Sequence, residues 1–348
     1  MKIWLAAYSA RGAATAARLA AALTAQGHVC RRFARGAYLD PADAGAELLE
    51  GTASDWAGRG FAEADALIFC CAAGIAVRGI APWLKSKKTD PAVLVIDELG
   101  RYCIPVLSGH IGGGNALAQE AAAAIGAQCI LTTATDINGL FAVDVFAVKN
   151  HLYIESMDLA KKVSAALLAG QAVGFCSDLP VAGELPPELQ RAGGAAVGVC
   201  VTADGAKTPW EKTLRLIPQR YAVGLGCRRG KDAAALEDFF LKCLAGCGVS
   251  VREVRCLASV DLKKDEAGLL ALSEKYRLPF RTYTAEELNA LPGEFTASAF
   301  VQGTVGVDCV CERSARMAAG GEIVQRKIAE DGMTFALAAF EEEEIRFE

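Results

Sequence analysis

The stretch from Pro105 to Leu140, PVLSGHIGGGNALAQEAAAAIGAQCILTTATDINGL, restricts the fold more than any other part of the chain. An apolar run over 104–107 precedes a polar, glycine-rich turn, Ser108-Gly109-His110-Ile111-Gly112-Gly113-Gly114-Asn115. An alanine-rich segment follows, then a second apolar run over 129–132 and a compact polar segment over 133–139. This order predicts strand, glycine turn, helix, strand and polar loop, the succession of an α/β sheet. Glycine lets the backbone turn sharply and approach a ligand closely. The N-terminus of the next helix offers N–H groups and a partial positive charge. Both polar segments are therefore expected at the carboxyl ends of strands, where open α/β sheets bind ligands.

The same pattern recurs upstream and downstream. Lys2–Tyr8, Val29–Phe33 and the wholly apolar Ala66–Ala72 predict strands. Helices are expected after Ser9-Ala10-Arg11-Gly12 to about Gln26, over 42–60 and over 75–88. Val93–Asp97 and Tyr102–Leu107 flank Glu98-Leu99-Gly100-Arg101 and predict a hairpin or strand pair. Beyond about 141 the signal weakens to a helix over Glu155–Ala169, a strand over Gln171–Cys176 and a Pro- and Gly-containing stretch over 177–219. At Tyr221 the pattern restarts. Strands are expected at Tyr221–Leu225, Cys256–Val260 and Phe280–Tyr283, with a basic turn over Gly226–Gly230 and a capping box at Thr284–Glu287. A helix follows Asp308, and Ile323–Ala329 pairs with Met333–Ala339 as a hairpin. The final EEEEIRFE reads as a solvated tail. The expected architecture is an N-terminal α/β domain over 1–140, a small middle α/β region over 141–218 and a C-terminal α/β domain over 219–348. The sheets of the two outer domains should be mostly parallel.

Charge and cysteine content narrow the function classes. A formal net charge of −5 argues against a general nucleic-acid binder. No run approaches the roughly 20 apolar residues of a membrane span, and the first residues lack a signal peptide's basic start and long apolar core. A cytoplasmic protein without nucleic-acid or membrane partners is expected. The 13 cysteines, an odd number without a CxxC, are expected as reduced thiols and not as a metal site.

Several residues carry chemistry. His110 lies inside the glycine turn and suits general acid or base work near neutral pH. The alternative is a histidine that only caps the helix. Ser108, Gly112, Gly113 and Asn115 around it suit a bound carboxylate or a polarised carbonyl. The turn lacks both the Walker A lysine and the Gly-x-Ser-x-Gly elbow. Asp136 can orient His110, act as a base, or simply close an Asx turn. Thr133, Thr135 and Asn138 can bond a ligand or cap the same turn. Arg228 and Arg229, between a strand and a helix, suit a polycarboxylate or phosphate, would stabilise a thiolate at Cys227 for a catalytic role, or form a solvated turn. Lys263 opens a second charged cluster. Glu312 follows Cys309 and Cys311 at a helix start, where capping, interface and catalytic roles all remain open.

Taken together the motifs resemble one family. LSGHIGGGNALA followed by TTATDINGL is similar to the signature of cobalt-precorrin-5A hydrolases, from the anaerobic branch of cobalamin biosynthesis. VGLGCRRG, SVDLKKDEAGLLAL and TVGVDCVCE resemble the family's C-terminal half, and ALIFCCAAGIAVRGIAPWLKSKKTDPAVLVIDELGRYCIPVLSGH its N-terminal region. The resemblance spans nearly the whole chain in the family's order. Gly112-Gly113-Gly114-Asn115 stands where the family has Gly-Gly-Ala-Asn, and Arg313, Ser314 and Arg316 stand in a helix start that is usually alanine-rich.

The resemblance implies a hydrolase. Water opens the ring-A δ-lactone of cobalt-precorrin-5A and acetaldehyde leaves, giving cobalt-precorrin-5B. Cobalt arrives with the substrate, so no cofactor is implied. Lactone opening needs an activated water and a stabilised oxyanion. His110 then becomes the candidate base, oriented by Asp136, with Asn115 and the turn's N–H groups holding the oxyanion. Ser108, Gly112, Gly113, Thr133, Thr135 and Asn138 would contact substrate, as would Glu312. Arg228, Arg229 and Lys263 would clamp the macrocycle's carboxylates. The implied partner is a cobalt-corrinoid small molecule. Transient contacts with neighbouring pathway enzymes and a homo-oligomer are compatible with it. A non-catalytic carrier of an unstable tetrapyrrole would need the same carboxylate-binding turns, and turnover separates the two.

Overall fold

A computed structural model describes the chain apart from residues 38, 43, 87, 88, 111, 192, 193, 299–302, 304, 342, 343 and 348, and apart from the side chains at 135 and 136. The described residues fall into two compact units, Met1–Val145 and Phe146–Glu348.

The first unit is built on a seven-stranded sheet in the order β3-β2-β1-β4-β5-β6-β7. Its strands are β1 (Lys2–Ala7), β2 (Val29–Ala34), β3 (Glu47–Leu48), β4 (Ala66–Cys70), β5 (Ala92–Ile96), β6 (Tyr102–Leu107) and β7 (Gln128–Cys129). The helices are α1 (Ala10–Ala25), α2 (Ala53–Glu63), α3 (Ala73–Ile80), α4 (Gly114–Ile125) and the one-turn α5 (Ala134–Ile137). β4 and β5 are buried along their whole length, as apolar runs inside a parallel sheet must be. α1 and α4 pack their alanine and leucine faces on one side of the sheet. On the other side Trp4, Phe33, Trp56 and Phe69 interlock, with ring centroids 4.8 to 6.2 Å apart.

Local chemistry corrects three expectations here. The helix expected over 42–60 begins only at Ala53, where Thr52 and Asp55 form a capping box. Before it, Gly45 and Gly51 take φ of 59° and 72°, which a helix cannot accommodate, and residues 47–48 become an edge strand. The helix expected over 75–88 ends as an α-helix at Ile80, ahead of Pro82. The polar segment over 133–139 is not all loop, because it contains α5.

The hairpin is present: β5 and β6 pair antiparallel, and the Asp97 carboxylate accepts from the N–H groups of Leu99, Arg101 and Tyr102. β7 then runs parallel to β6. The sheet is mostly parallel, but β6 and β7 point against the other five strands.

The second unit, which begins within α6 (Val143–Lys149), holds two five-stranded sheets. The stretch over 141–218 is an organised sheet with order β11-β9-β12-β13-β8, parallel except at β13–β8. Its strands are β8 (Leu152–Ile154), β9 (Val173–Ser177), β11 (Leu189–Gln190), β12 (Val197–Val201) and β13 (Lys212–Pro218), with α7 (Met157–Leu168) opened by Ser156. A separate short strand, β10 (Val181–Ala182), lies between β9 and β11 in sequence.

The other sheet has the order β16-β15-β14-β18-β17. It comprises β14 (Tyr221–Cys227), α8 (Ala233–Gly246), β15 (Val254–Val260), α9 (Ala267–Tyr276), β16 (Phe280–Tyr283), α10 (Ala285–Ala290), α11 (Val310–Ala319), β17 (Ile323–Glu330) and β18 (Met333–Ala339). β14, β15 and β16 are parallel; β18 runs antiparallel to β14 on its other side, and β17 antiparallel to β18. α11 lies so close to β14 that a Cβ at Gly224 would stand 1.8 Å from the Cys311 carbonyl oxygen.

The expected solvated tail is a fourth correction. β19 (Ile345–Arg346) pairs parallel with β10, Ile345 is 1% exposed, and Phe347 stacks on Phe146 and packs against Phe175. The apolar residues after the acidic run give that segment surface to bury.

Candidate functional site

Two groups of candidate residues emerge, one in each unit. In the first unit the glycine turn leaves β6 and enters α4. Ser108 takes φ 54°, a conformation costly for a residue with a Cβ, and its buried hydroxyl donates to the Asp90 carbonyl at 2.8 Å. Asp90 precedes β5, so the turn lies at the amino end of β5. This corrects the expected placement. The turn does follow the carboxyl end of β6, and the second polar segment that of β7, but those two strands are reversed relative to the other five.

The turn folds on itself. Gly113, at φ 76°, donates its N–H to the His110 carbonyl, Gly114 to that of Ser108 and Asn115 to that of Gly109. These three N–H groups are satisfied internally, contrary to the expectation that the turn presents them to a ligand. Gly109 and Gly112 are there for space: a Cβ would come within 2.5 Å of Asn115 Oδ1 at the first and of Ser108 Cβ at the second. The Asn115 side chain is buried and donates to the Thr133 hydroxyl at 3.1 Å, tying the two polar segments together. Asn138 donates to the Ala134 carbonyl and closes α5. The side chains of Thr135 and Asp136 lie outside the described residues.

His110 has a carboxylate partner that the sequence did not disclose. Its Nδ1 stands 3.1 Å from Asp144 Oδ2, with the two side chains 16% and 20% exposed. Burial alone would raise the Asp144 carboxyl, but the bond to His110 and the Val145 N–H outweigh it and hold Asp144 below its ordinary value. An ionised carboxylate on Nδ1 fixes the ring's orientation and favours a proton on that nitrogen. Asp144 lies 34 residues beyond His110 and opens α6, so no local spacing rule points to it.

In the second unit Arg228, Arg229 and Lys263 come together beside one cavity. Residues 228–230 follow β14 and Lys263 follows β15, two adjacent parallel strands. The chain continues from β14 to one side and returns as β18 on the other, so these ends flank a topological switch point. A cavity of about 710 Å³ opens there. Val260, Leu262, Val305, Val310 and Met333 form apolar wall, and Cys227, Cys309 and Cys311 also line it. Burial raises the Cys227 thiol, which keeps it protonated.

The charges of the lining resolve into pairs and remainders. Glu330 is bound to Lys242 at 2.7 Å and Asp331 to Lys231 at 2.5 Å, and neither lysine lines the cavity. Lys263 is held at 2.9 Å by the buried Glu266, whose other oxygen accepts from the Gly230 N–H. Arg229 stands 3.6 Å from Asp265 in an exposed pair, worth little in water. Arg228 and Lys327 line the cavity and make no ion pair among the described residues. The lining therefore keeps uncompensated positive charge. Lys327 was not identified from sequence. It sits on β17, whose pairing with β18 slips twice, so simple alternation does not reveal which face it takes.

Glu312 is fully buried and does not line the cavity. One oxygen accepts from the Thr296 N–H at 2.9 Å and the other from the Lys327 N–H at 2.8 Å. Burial opposes its ionisation, but these bonds and Arg326 hold the carboxyl below its usual value. Arg313 is likewise internal, bound through Nε and Nη2 to Asp308 and donating to the Leu288 and Leu291 carbonyls.

Comparison with known proteins matches three family regions in order. They are the cobalamin synthesis G N-terminal region over residues 55–136, the cobalamin biosynthesis central region over 141–218 and the cobalamin synthesis G C-terminus over 221–338. The chain is similar to the cobalt-precorrin-5A hydrolase of Salmonella typhimurium, 35% identical over 304 residues, which is 83% of this chain and 86% of that one. It is similar to the cobalt-precorrin-5A hydrolase of Priestia megaterium at 34% identity, over 79% of each chain. A probable cobalt-precorrin-5A hydrolase of Methanocaldococcus jannaschii is 28% identical over 78% of this chain and 84% of its own. Among the described residues no helix is long and apolar enough to cross a membrane.

Proposed function

We infer from its membership of the cobalamin synthesis G family that this chain is a cobalt-precorrin-5A hydrolase, an enzyme of cobalamin biosynthesis acting on a corrinoid substrate. The observation that carries this is the 35% identity to a cobalt-precorrin-5A hydrolase over more than four-fifths of both chains. It favours the hydrolase over a non-catalytic tetrapyrrole carrier.

The reaction is water opening the δ-lactone of cobalt-precorrin-5A, with loss of acetaldehyde to give cobalt-precorrin-5B. We propose that His110 accepts the proton of the attacking water, with Asp144 holding the ring and stabilising the imidazolium that forms. The ionised state of Asp144 supports this role. Asn115 is proposed as a donor to the oxyanion, and Ser108, Gly112, Thr133, Thr135 and Asn138 as the surroundings of the reacting group. Gly113 contributes shape to that turn, since its N–H is already bonded. In the second unit, Arg228 and Lys327 are proposed as the principal partners of the macrocycle's carboxylates, with Arg229 and Lys263 beside them. Glu312 supports Lys327 from behind through its backbone.

Cobalt arrives in the substrate, and the proposed chemistry needs no further cofactor. A cytoplasmic location, transient contacts with neighbouring pathway enzymes and self-association belong to the same proposal, as does the absence of a nucleic-acid partner. The test is an anaerobic incubation of the pure protein with cobalt-precorrin-5A, following acetaldehyde and the mass of the corrinoid. Catalytic acetaldehyde with the matching mass loss supports the hydrolase. Stoichiometric binding by folded protein without acetaldehyde overturns it in favour of the carrier.

A further inference from the structure

The sheet formed by β8, β9, β11, β12 and β13 contains a pair of thiols that the hydrolase chemistry does not use. Cys176 and Cys200 are register partners on the adjacent parallel strands β9 and β12. Neighbouring strands run about 4.8 Å apart, within the Cα separation that a disulfide spans. The two sulfurs stand 2.6 Å apart, far inside ordinary contact for nonbonded sulfur and only a short movement from a bond of about 2.05 Å. The Cys309–Cys311 pair, at 3.8 Å, shows the ordinary contact by contrast.

Their surroundings hold the pair in place. Gly174 and Gly198 are also register partners, two residues earlier on the same face, and the Trp210 ring lies over both, within 2.1 to 2.2 Å of where a Cβ would stand. Two residues later, Asp178 accepts from the Thr202 hydroxyl at 2.5 Å and pairs with Lys207. The thiols are thus fixed between a ring packed on glycine and an ion pair. They also differ in access: Cys176 is half-buried, whereas Cys200 is fully buried. Burial, with the contact from Cys176, raises the Cys200 thiol to about 12.

We propose that Cys176 and Cys200 form a reversible disulfide when the protein meets a small-molecule disulfide, making this strand pair a thiol-oxidation site. The thiolate of Cys176 attacks the disulfide RSSR, forming Cys176–S–SR and releasing RS⁻, which takes up the proton Cys176 lost. The Cys200 sulfur then attacks the Cys176 sulfur and expels the second RS⁻, which takes the Cys200 proton. The protein loses two hydrogens and two electrons, and RSSR gains them as two RSH. Cys176 is the entry point because it alone of the two is reachable.

The experiment uses the intact chain and oxidised glutathione. Treated and untreated samples are alkylated, digested with trypsin without reduction, and analysed by mass spectrometry. Cleavage after Lys162, Arg191 and Lys207 places the two residues in separate peptides, 163–191 and 192–207, each with one cysteine. The expected result is near-complete conversion of this pair to one linked species, two hydrogens lighter than the sum, which dithiothreitol reverses. Cys200→Ser should instead leave Cys176 carrying glutathione, and Cys176→Ser should leave Cys200 unmodified while the fold is retained by circular dichroism. Two outcomes overturn the proposal: wild-type protein in which Cys176 stops at the glutathione adduct, or one in which these cysteines link to others as often as to each other.

Discussion

Replacing Glu312 with alanine tests whether this carboxylate supports the fold or contacts substrate. Its two oxygens accept from the N–H groups of Thr296 and Lys327, tying a loop and β17 to the first turn of α11. A hydrogen bond to a charged acceptor contributes about 1.5–3 kcal/mol. Thr296 is exposed, so water can replace the acceptor for its N–H, and the lower end applies to that bond. A carboxylate in the first turn of a helix adds about 0.3–1 kcal/mol. Relief of the buried charge offsets part of this, leaving an expected loss of about 3 kcal/mol. Urea unfolding of both proteins at pH 7, with unchanged m values, measures it. The folded carboxyl titrates below its ordinary value, so its contribution is present above the unfolded pKa of about 4.3 and is lost as pH falls through the folded one. The gap between wild type and Glu312→Ala should therefore narrow in acid. A loss under about 1 kcal/mol, or a stable variant that no longer turns over, would refute the structural reading and return Glu312 to the substrate.

The remaining predictions concern the two clusters and the packing of α11 on β14. His110→Ala should lower kcat at least a hundredfold. Asp144→Asn should lower it by about as much through lost ring orientation and should shift the acidic limb of the pH–rate profile, which a purely structural residue would leave in place. Arg228→Ala and Lys327→Ala should each raise KM about tenfold with little change in kcat, the equivalent of about 1.4 kcal/mol of carboxylate binding, and equal KM values would remove them from the site. Gly224→Ala should cost about 3 kcal/mol of stability, because its Cβ would meet the Cys311 carbonyl and α11 would have to move off β14. Thermal unfolding within a degree of wild type would show that the helix gives way more easily than its packing implies.

Much of the fold is legible because it rests on local patterns. Apolar runs mark β4 and β5, and Thr284 with Glu287 marks the start of α10. Expectations failed where a few residues outweigh composition. Gly45 and Gly51 interrupt an otherwise helix-compatible stretch, and Pro82 ends α3 early. The tail misled for a related reason: its acidic residues dominate the composition, while Ile345 and Phe347 decide where it goes. A weak pattern over 177–219 still conceals three strands of a sheet, because β11 is only two residues long and β12 is buried along its whole length, so neither alternates.

The site divides along the same line. Arg228, Arg229 and Lys263 could be marked from sequence as charges that follow strands, and adjacent parallel strands bring them to one edge. Asp144 and Lys327 could not, since one reaches His110 from a different helix and the other lies on a strand whose register slips. The position of the glycine turn is the instructive case. Strand, glycine turn and helix in sequence suggest a ligand at the carboxyl edge of a parallel sheet. Yet the hairpin across Glu98–Arg101 already requires β6 to run against β5. A strand that enters by a hairpin points the other way, so the turn that follows it must lie at the edge where its parallel neighbours begin. The bond from Ser108 to the Asp90 carbonyl, just ahead of β5, is the direct result. His110 is thereby separated from the carboxyl ends of β1, β4 and β5, and its partner comes from beyond α5 instead of from those strands. The local motif supplies the residues, but strand direction decides what they can meet.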